Sequence, residues 1–358
     1  MRGKKVVIGM SGGVDSSVAA SILKEEGYDL YGITLQLWKE NGDEDKKWQE
    51  RSCCKVNIAR YVSERLEIPY EVIDVQDAFR NQVVDEFYRE YMRGRTPNPC
   101  IRCNEWIKFG ILLEIARERG ADFLATGHYV CTEYDRENDC YYLKRGADRR
   151  KDQSYFLYRL TRDKLPFLLF PLGRLNKSEV WKRSEMLGLP PDEVKESQEI
   201  CFVTQNDYRR FITEYASTDT IRPGNMVTPD GRVVGEHKGI PFYTIGQRRS
   251  LGISMGERLY VIKIDAEKNE VVVGREEDLY RSQVMVSDIS FINNNDLSDS
   301  NKVSARIRYR CSNADAIINR IEDKRIDVNF VSPQKAVTPG QSIVFYKGEY
   351  LLGGGIIE

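Results

Sequence analysis

Residues Val6–Leu23 read VVIGMSGGVDSSVAASIL. Val6, Val7 and Ile8 form a short apolar run that predicts a buried strand, and Val18, Ala19, Ala20, Ile22 and Leu23 recur with a helical period. Between them stands the glycine turn Ser11–Ser17. Strand, glycine turn and helix together make an anion site. Glycine lets backbone approach a phosphate closely, and a helix start points N–H groups and a positive dipole end at it. The turn lacks the Gly-Lys-Ser/Thr ending of the mononucleotide P-loop, and no lysine falls between Lys5 and Lys24. Asp15 stands there instead, among small hydroxyl residues. A carboxylate beside a polyphosphate is repulsive unless a divalent cation lies between them, so Asp15 points to bound magnesium. An ordinary glycine turn is the blander reading of this stretch; the full SGGVDS directly after a strand favours the phosphate site.

Outward from this stretch, the first half of the chain alternates strands and helices. Strands are expected at Tyr28–Leu37, Tyr70–Val75 and Asp122–Thr126, and helices at Val56–Leu66, Asp77–Met92 and Trp106–Arg119. Trp38–Arg51 is charged and aperiodic, which predicts a surface loop. Serial βα units imply an α/β fold, a parallel sheet with helices on both faces, whose ligands sit at the carboxyl ends of strands. Ser11, Leu35 and Gly127 fall at such ends. Tyr129–Arg145 reads as a hairpin. A helical period returns over Asp152–Leu189, with Asn176-Lys177-Ser178-Glu179 as a helix start.

Near residue 205 the texture changes. Gly224–Gly239 reads as a hairpin, and short strands follow at Arg258–Asp265, Val271–Gly274, Val303–Tyr309, Arg325–Phe330, Gln341–Tyr346 and Leu351–Ile357. The expected division is a nucleotide-binding domain over 1–205, a small central domain over 206–278 and a C-terminal β-barrel over 279–358. A length of 358 residues suits two or three such domains. With 41% hydrophobic and 30% charged residues the composition is that of a soluble globular protein. No apolar run is long enough to span a bilayer, and the run after Lys5 is too short for a signal core, so a cytoplasmic protein is expected. Eight cysteines there read as thiols, metal ligands or catalytic groups rather than a disulfide scaffold. A net charge of −1 lacks the basicity usual for nucleic-acid binders, so any RNA must meet local basic surfaces.

Two cysteine sites stand out. Gly94–Asn104 reads GRTPNPCIRCN, in which two prolines hold the entry extended and Asn104 is a candidate cap for the next helix. Its C-x-x-C is half a zinc site, a redox pair, part of an iron–sulfur site or a catalytic pair by spacing alone. Cys53-Cys54 are adjacent and suit one tetrahedral ion poorly. Cys201, between Ile200 and Phe202, taken by itself is a small buried hydrophobe.

SGGVDSS resembles the pyrophosphate loop of the adenine-nucleotide alpha hydrolases. Together with GRTPNPCIRCN, ATGHY, KDQSYFLY, ICF, GEHKG, IGQR, AVTPGQS and LGGGIIE, in this order and spacing, it gives nearly the whole chain a resemblance to the tRNA-specific 2-thiouridylases. That resemblance implies the three-domain architecture above and an ATP-dependent conversion of the wobble uridine to 2-thiouridine in the tRNAs for Lys, Glu and Gln, fed by a persulfide sulfur donor protein. It also implies residue roles. Gly9, Met10, Ser11, Gly12, Gly13, Val14, Asp15 and Ser16 bind ATP, with Leu35 and Gly127 near the adenosine. Cys201 carries the persulfide, and Cys103 releases the product through a transient disulfide with it. Asn98, Pro99 and Cys100 face the target base. His128, Lys151, Asp152, Gln153, Arg308, Tyr309 and Gln341 touch tRNA.

Lys151 and Asp152 also read as a solvated surface pair. Arg306, Arg308 and Arg310 alternate, which predicts three cations on one face of a strand. Members of the family often carry aspartate where Cys100 stands. Three cysteines, Cys100, Cys103 and Cys201, then offer an iron–sulfur cluster as an alternative sulfur source. Two further rivals are a non-catalytic RNA-binding protein with a structural metal, against which SGGVDS argues, and an amide-forming ATP pyrophosphatase, against which the two cysteine sites and the β domain argue.

Overall fold

The computed structural model describes residues 3–38, 55–189, 200–203, 207–216, 220–253, 256–293, 301–322 and 324–358. Most of the expected Trp38–Arg51 loop, residues 196–199 before Cys201, and Cys53-Cys54 lie outside them. The chain groups into two compact units, one of residues 1–83, 100–202 and 349–351, the other of 84–99, 203–348 and 352–358.

In the first unit, β1 (Lys5–Gly9), β2 (Asp29–Gln36), β3 (Tyr70–Asp74), β4 (Phe123–Ala125) and β7 (Leu168–Leu169) form a parallel sheet in the order β3-β2-β1-β4-β7. Val6 pairs with Leu30 on one side and Phe123 on the other. The order reverses at β1, and the crevice beyond its carboxyl end is where such sheets take ligands. Helix α1 (Val14–Glu25) lays Val18, Ala19 and Leu23 into the core that holds Val6 and Ile8. Ile8 and Val18 are fully buried, each contributing about 1.5–3 kcal/mol by leaving water. A hairpin of β5 (Val130–Asp135) and β6 (Cys140–Arg145) follows, and Tyr350 and Leu351 pair with β6.

The second unit holds two β structures. β8 (Gly224–Val227), β9 (Val233–His237), β10 (Tyr260–Asp265) and β11 (Glu270–Gly274) form one sheet over Met226, Val261, Val271 and Val273. The other is a closed barrel in the order β12 (Tyr280–Phe291), β15 (Arg325–Lys335), β14 (Ala314–Glu322), β13 (Lys302–Arg306), β16 (Ser342–Lys347) and β17 (Tyr350–Ile357), sealed by β12 pairing with β17. Its interior is Val286, Ala305, Ile318, Val328, Ile343 and Phe345. Helix Asp85–Met92 packs Phe87 on Phe211 and stacks Tyr91 on Tyr208 of helix Tyr208–Tyr215.

The α/β class with a β-barrel is as the patterning predicts. Three local expectations fail, and two strands go unanticipated. Asp152–Leu189 is not helical throughout: short 3-10 turns at Ser154–Leu157 and Leu165–Phe167 precede β7, and only Lys177–Met186 is an α-helix. That helix starts where expected, with Asn176 and Glu179 closing a capping box. β13 ends at Arg306, so Arg308 and Arg310 lie in the bend beyond it and no alternating row of three cations exists. Strands β12 and β14 were not anticipated, because their polar outward residues dilute the apolar alternation. Asn104 caps nothing. It sits inside a helical run that begins at Pro99 and is π-type over Cys103–Ile111, and its Nδ2 donates to Phe156 O at 3.2 Å.

Candidate active site

The chain leaves β1 through Met10, whose N–H donates to Ile33 O of β2. Gly12 has φ +74° and lies so close to Lys55 that a Cβ would come within 2.1 Å of its carbonyl oxygen. Gly13 precedes α1 without a capping side chain, which leaves the first-turn amides open to an anion. The Ser16 and Ser17 hydroxyls turn back to donate to Gly13 O at 3.1 and 3.0 Å, holding the loop shape.

Asp15 is where the structure adds most. Its Oδ1 accepts from Lys177 Nζ at 2.7 Å and from Tyr129 OH at 2.6 Å. The Lys177 side chain is only 10% exposed. Its N–H donates to Asp148 Oδ2 at the start of the capped helix, and its ammonium lies beside the Tyr129 and Trp181 rings. Lysine is thus present at the loop after all, delivered from a position 162 residues away in the chain. Sequence reasoning passed over it as an ordinary helix start; the only signal was a lysine directly after a strong N-cap.

Gly127 lies against the same helix start, since a Cβ there would meet Asp15 C at 2.7 Å and Ser16 N at 2.8 Å. Leu35 is buried on β2 near the same sheet edge. Gln153 brackets Tyr129, its Oε1 accepting from Tyr129 N at 3.0 Å and its N–H donating to Tyr129 O at 3.1 Å. Asp152 is buried and accepts from Gly146 N, Ser154 N and Ser154 Oγ. It is therefore neither half of a solvated pair nor displayed at the surface. Gln153 braces the Gly127–Tyr129 segment, and Asp152 ties Gly146 to Ser154. Lys151 is half-buried and its N–H donates to Asp148 O.

His128 is also inside the protein. Its ring packs on Phe109 and Phe170, Nδ1 lies 2.8 Å from Thr126 Oγ1, and burial together with the Lys108 charge holds its pKa well below the usual imidazole value. The imidazole stays neutral in the fold but charges near pH 6.5 when unfolded, so it makes stability fall as pH drops below 6.5. Replacing it in His128→Gln is expected to flatten that acid limb by up to about 1.4 kcal/mol per pH unit, read from urea midpoints between pH 6.5 and 5.5.

The thiols converge. Cys103 is buried, Cys201 is partly buried, and Cys100 keeps exposed surface although protein atoms crowd its sulfur. Desolvation pushes Cys103 up to about 12, against the pull of the Lys108 ammonium and with added repulsion from Cys201 and Cys100. Desolvation pushes Cys100 up to about 11, with Cys201 the next contributor. Phe202, with its ring 6.1 Å from Trp38 and 5.7 Å from Phe79, fixes the chain beside Cys201. Among the described residues no group of three or more His, Cys, Asp or Glu is arranged to hold a metal ion.

In the second unit, Arg308 Nη2 donates to Lys335 O at 2.7 Å and Arg306 Nε to Asn313 Oδ1 at 3.3 Å. Tyr309 lies in the same bend. Asn98, half-buried, ends the loop that starts at Gly94, and Pro99, buried, opens the helical run. Gln341 is half-buried, and its Nε2 donates to Thr96 O at 2.8 Å.

A parallel sheet with a glycine-rich anion loop at its switch point, followed by two β modules, defines a nucleotide-binding enzyme of the HUP type. Residues 4–205 match the tRNA methyl transferase HUP domain, 209–275 the tRNA methyl transferase PRC-barrel domain, and 281–357 the aminomethyltransferase beta-barrel domain. A tRNA-specific 2-thiouridylase, MnmA 2, of Caldanaerobacter subterraneus subsp. tengcongensis is 49% identical over 360 residues, covering 100% of this chain and 98% of the relative. Another, MnmA of Acetivibrio thermocellus, is 46% identical over 361 residues, with 100% of both chains covered. The chain belongs to the tRNA-specific 2-thiouridylase family. Among solved structures, the U34-tRNA thiolase NcsA from Methanococcus maripaludis with its iron–sulfur cluster aligns at a TM-score of 0.35, with 22% identity over 60% of this chain and 65% of that one. Among the described residues no helix is long and apolar enough to cross a membrane.

Proposed function

We propose that the protein makes 2-thiouridine at the wobble position of the tRNAs for Lys, Glu and Gln, using ATP and a sulfur atom carried as a persulfide on Cys201. The enzyme is a sulfurtransferase acting on tRNA. One observation carries the mechanism: the Gly127–Tyr129 segment touches the pyrophosphate loop through Gly127 and Tyr129, while the His128 ring packs on Phe109 of the helical run that opens with Cys103. Adenylation and sulfur chemistry thereby share one scaffold.

The uracil C2 carbonyl is a poor electrophile because oxide is a poor leaving group. Attack of its oxygen on the α-phosphate of ATP expels pyrophosphate and leaves AMP bonded through that oxygen. The loop Gly9–Ser16 cradles the polyphosphate with backbone N–H groups, and Lys177 supplies the cation that SGGVDS lacks. Asp15 is the carboxylate of the loop, which suits magnesium, an ion that keeps water and phosphate oxygens as most of its ligands. Such an ion would screen the phosphate charge. The terminal sulfur of the Cys201 persulfide then attacks C2 and AMP departs. Cys103, as thiolate, attacks the Cys201 sulfur, forming the Cys103–Cys201 disulfide and releasing the thiolated base. Asn98, Pro99 and Cys100 face the base, which must leave the anticodon stack to reach the buried thiols. A cytoplasmic location and a separate persulfide donor protein fit this chemistry, and the three-domain division at 205 and 278 goes with it.

The test is direct. Purified protein with unmodified tRNA, ATP, magnesium and a persulfide donor is expected to yield 2-thiouridine by nucleoside mass spectrometry, with one pyrophosphate per thiolation. Unmodified nucleosides in tRNA from cells lacking the gene complete the case. Retention of 2-thiouridine in those cells would overturn it.

A further inference from the structure

Cys103 stands where the helical run changes its winding. Pro99–Arg102 is a turn of α-helix, and Cys103–Ile111 is π-type. A π turn is wider than an α turn and rare, and here the two residues after Cys103 are tied from outside it. Asn104 Nδ2 donates to Phe156 O at 3.2 Å. Glu105 Oε2 accepts from Arg102 Nη1 at 2.9 Å and lies 2.6 Å from Arg159 Nε. The side chains of Arg102, Glu105 and Arg159 are only 15%, 18% and 11% exposed, so water screens the three charges poorly. Both guanidiniums lie beside rings, Arg102 over Trp106 and Arg159 over Tyr158. Phe156 and Arg159 belong to one segment, which is anchored in turn. Tyr155, Leu157 and Tyr158 are fully buried, and Phe156 N donates to Gln153 O. Gln153 brackets Tyr129, whose hydroxyl donates to Asp15. Within the first unit, contacts therefore run without a break from the pyrophosphate loop to the residues beside Cys103.

We propose that Glu105 is a positioning residue for Cys103: by joining Arg102 to Arg159 it holds the C-x-x-C turn on the Ser154–Arg159 segment and so sets the approach of the Cys103 sulfur to Cys201. One carboxylate oxygen serves two nearly buried guanidiniums. Removing the carboxylate leaves two like charges facing each other, whereas removing Arg159 leaves a neutral Arg102–Glu105 pair. Loss of Glu105 therefore disturbs the turn more than loss of Arg159. Thiol–disulfide exchange depends on access and direction of attack, so a small displacement of this turn is felt in the rate. The proposal rests on the reading above that Cys103 attacks the Cys201 sulfur to release the thiolated base.

The first readout needs no tRNA. In a Cys100→Ser background the protein is equilibrated with mixtures of reduced and oxidised glutathione. Forming the Cys103–Cys201 disulfide consumes one oxidised glutathione and yields two reduced ones, so the midpoint reports the effective concentration of one thiol at the other. The second readout is single-turnover release of thiolated tRNA from persulfide-loaded protein, and the third is pyrophosphate release. Glu105→Gln, which keeps the shape and removes the charge, is expected to lower the effective concentration about tenfold and to slow product release by a similar factor. Pyrophosphate release should stay within about twofold, because Gln153 still holds Tyr129. Arg159→Gln is expected to cost about threefold in the first two readouts, and Arg159→Lys, which keeps the charge, to recover most of that loss. Thiol pairing unchanged in Glu105→Gln overturns the proposal. An equal fall in pyrophosphate release overturns it too, since the ion cluster would then support the whole site. Weaker pairing with unchanged product release removes the positioning role. Should Glu105→Gln fail to fold, the Arg159 variants decide: Arg159→Gln equal to the parent, or no recovery with lysine, overturns the proposal. A parent protein that does not thiolate tRNA would instead strike the reading on which the proposal rests, while the glutathione midpoints would still report on the clamp.

Discussion

Lys177→Ala is expected to lower tRNA-dependent pyrophosphate release about a hundredfold, the scale of losing one preorganised group that stabilises developing charge. The fold should survive, because the helix that carries Lys177 is capped by Asn176 and Glu179 and not by the lysine head group. The ammonium lies 2.7 Å from Asp15 in a pocket of aromatic rings, where water screens it poorly. Without it, Asp15 faces the incoming polyphosphate uncompensated, so ATP affinity falls as well as turnover. Raising magnesium should restore part of the affinity but little of the rate, since the ion can neutralise Asp15 without reaching the position of the lost ammonium. Asp15→Ala should show the opposite pattern, a magnesium requirement that no longer saturates normally. Tyr129→Phe removes only the 2.6 Å hydrogen bond to Asp15 and should cost severalfold at most. Pyrophosphate release unaffected by Lys177→Ala at every magnesium concentration would show that the pair is merely structural.

Cys201→Ser should abolish thiolation completely while leaving pyrophosphate release intact, because adenylation precedes any sulfur step. Cys103→Ser should stop one stage later, with tRNA held to Cys201 through two sulfurs, a species visible as a reducible band on a denaturing gel. Cys100→Ser should retain most activity, since the relay needs only two sulfur-bearing residues. The pH dependence has a definite sign. Cys103 reacts as thiolate, and burial places its thiol at about 12, so the reactive fraction rises about tenfold per pH unit below that value. Resolution of the mixed disulfide should therefore accelerate steadily from pH 7 to 10. Lys108→Met removes the charge that opposes this burial and should slow resolution at every pH in that range. Full activity of Cys103→Ser without a trapped intermediate would refute the disulfide step.

Legibility from sequence followed the range of the interactions. β1, the glycine turn and α1 are contiguous, and their apolar period, glycines and small hydroxyl residues report local geometry directly. The β character of the C-terminal part was legible for the same reason, through turn residues between short apolar runs. What failed was long-range or mixed. β12 and β14 alternate too weakly to be noticed, and Arg308 and Arg310 looked like strand residues because nothing nearby marks the end of β13 at Arg306. The Lys177–Asp15 pair and the Gln341–Thr96 bond join residues far apart in the chain, and no periodicity encodes such a meeting. The cysteines fell between these cases: resemblance assigned the roles of Cys103 and Cys201, but only the fold shows that Cys100 shares their surroundings.

The π-type run Cys103–Ile111 makes the length of this segment matter as much as its composition. Each wide turn holds an extra residue compared with an ordinary helix. Deleting one residue anywhere between Asn104 and Ile107 would let one wide turn of the run relax to α-helix, at little or no cost in hydrogen bonds. Everything before the deletion would then rotate by about 100° about the helix axis relative to everything after it. Cys103 would turn away from Lys108 even though neither side chain had been altered. Exchanges of residue type in the exposed face of this run should therefore be tolerated far better than any change in its count, and a homologue missing one residue here would be a helix of the same stability with its sulfur aimed elsewhere.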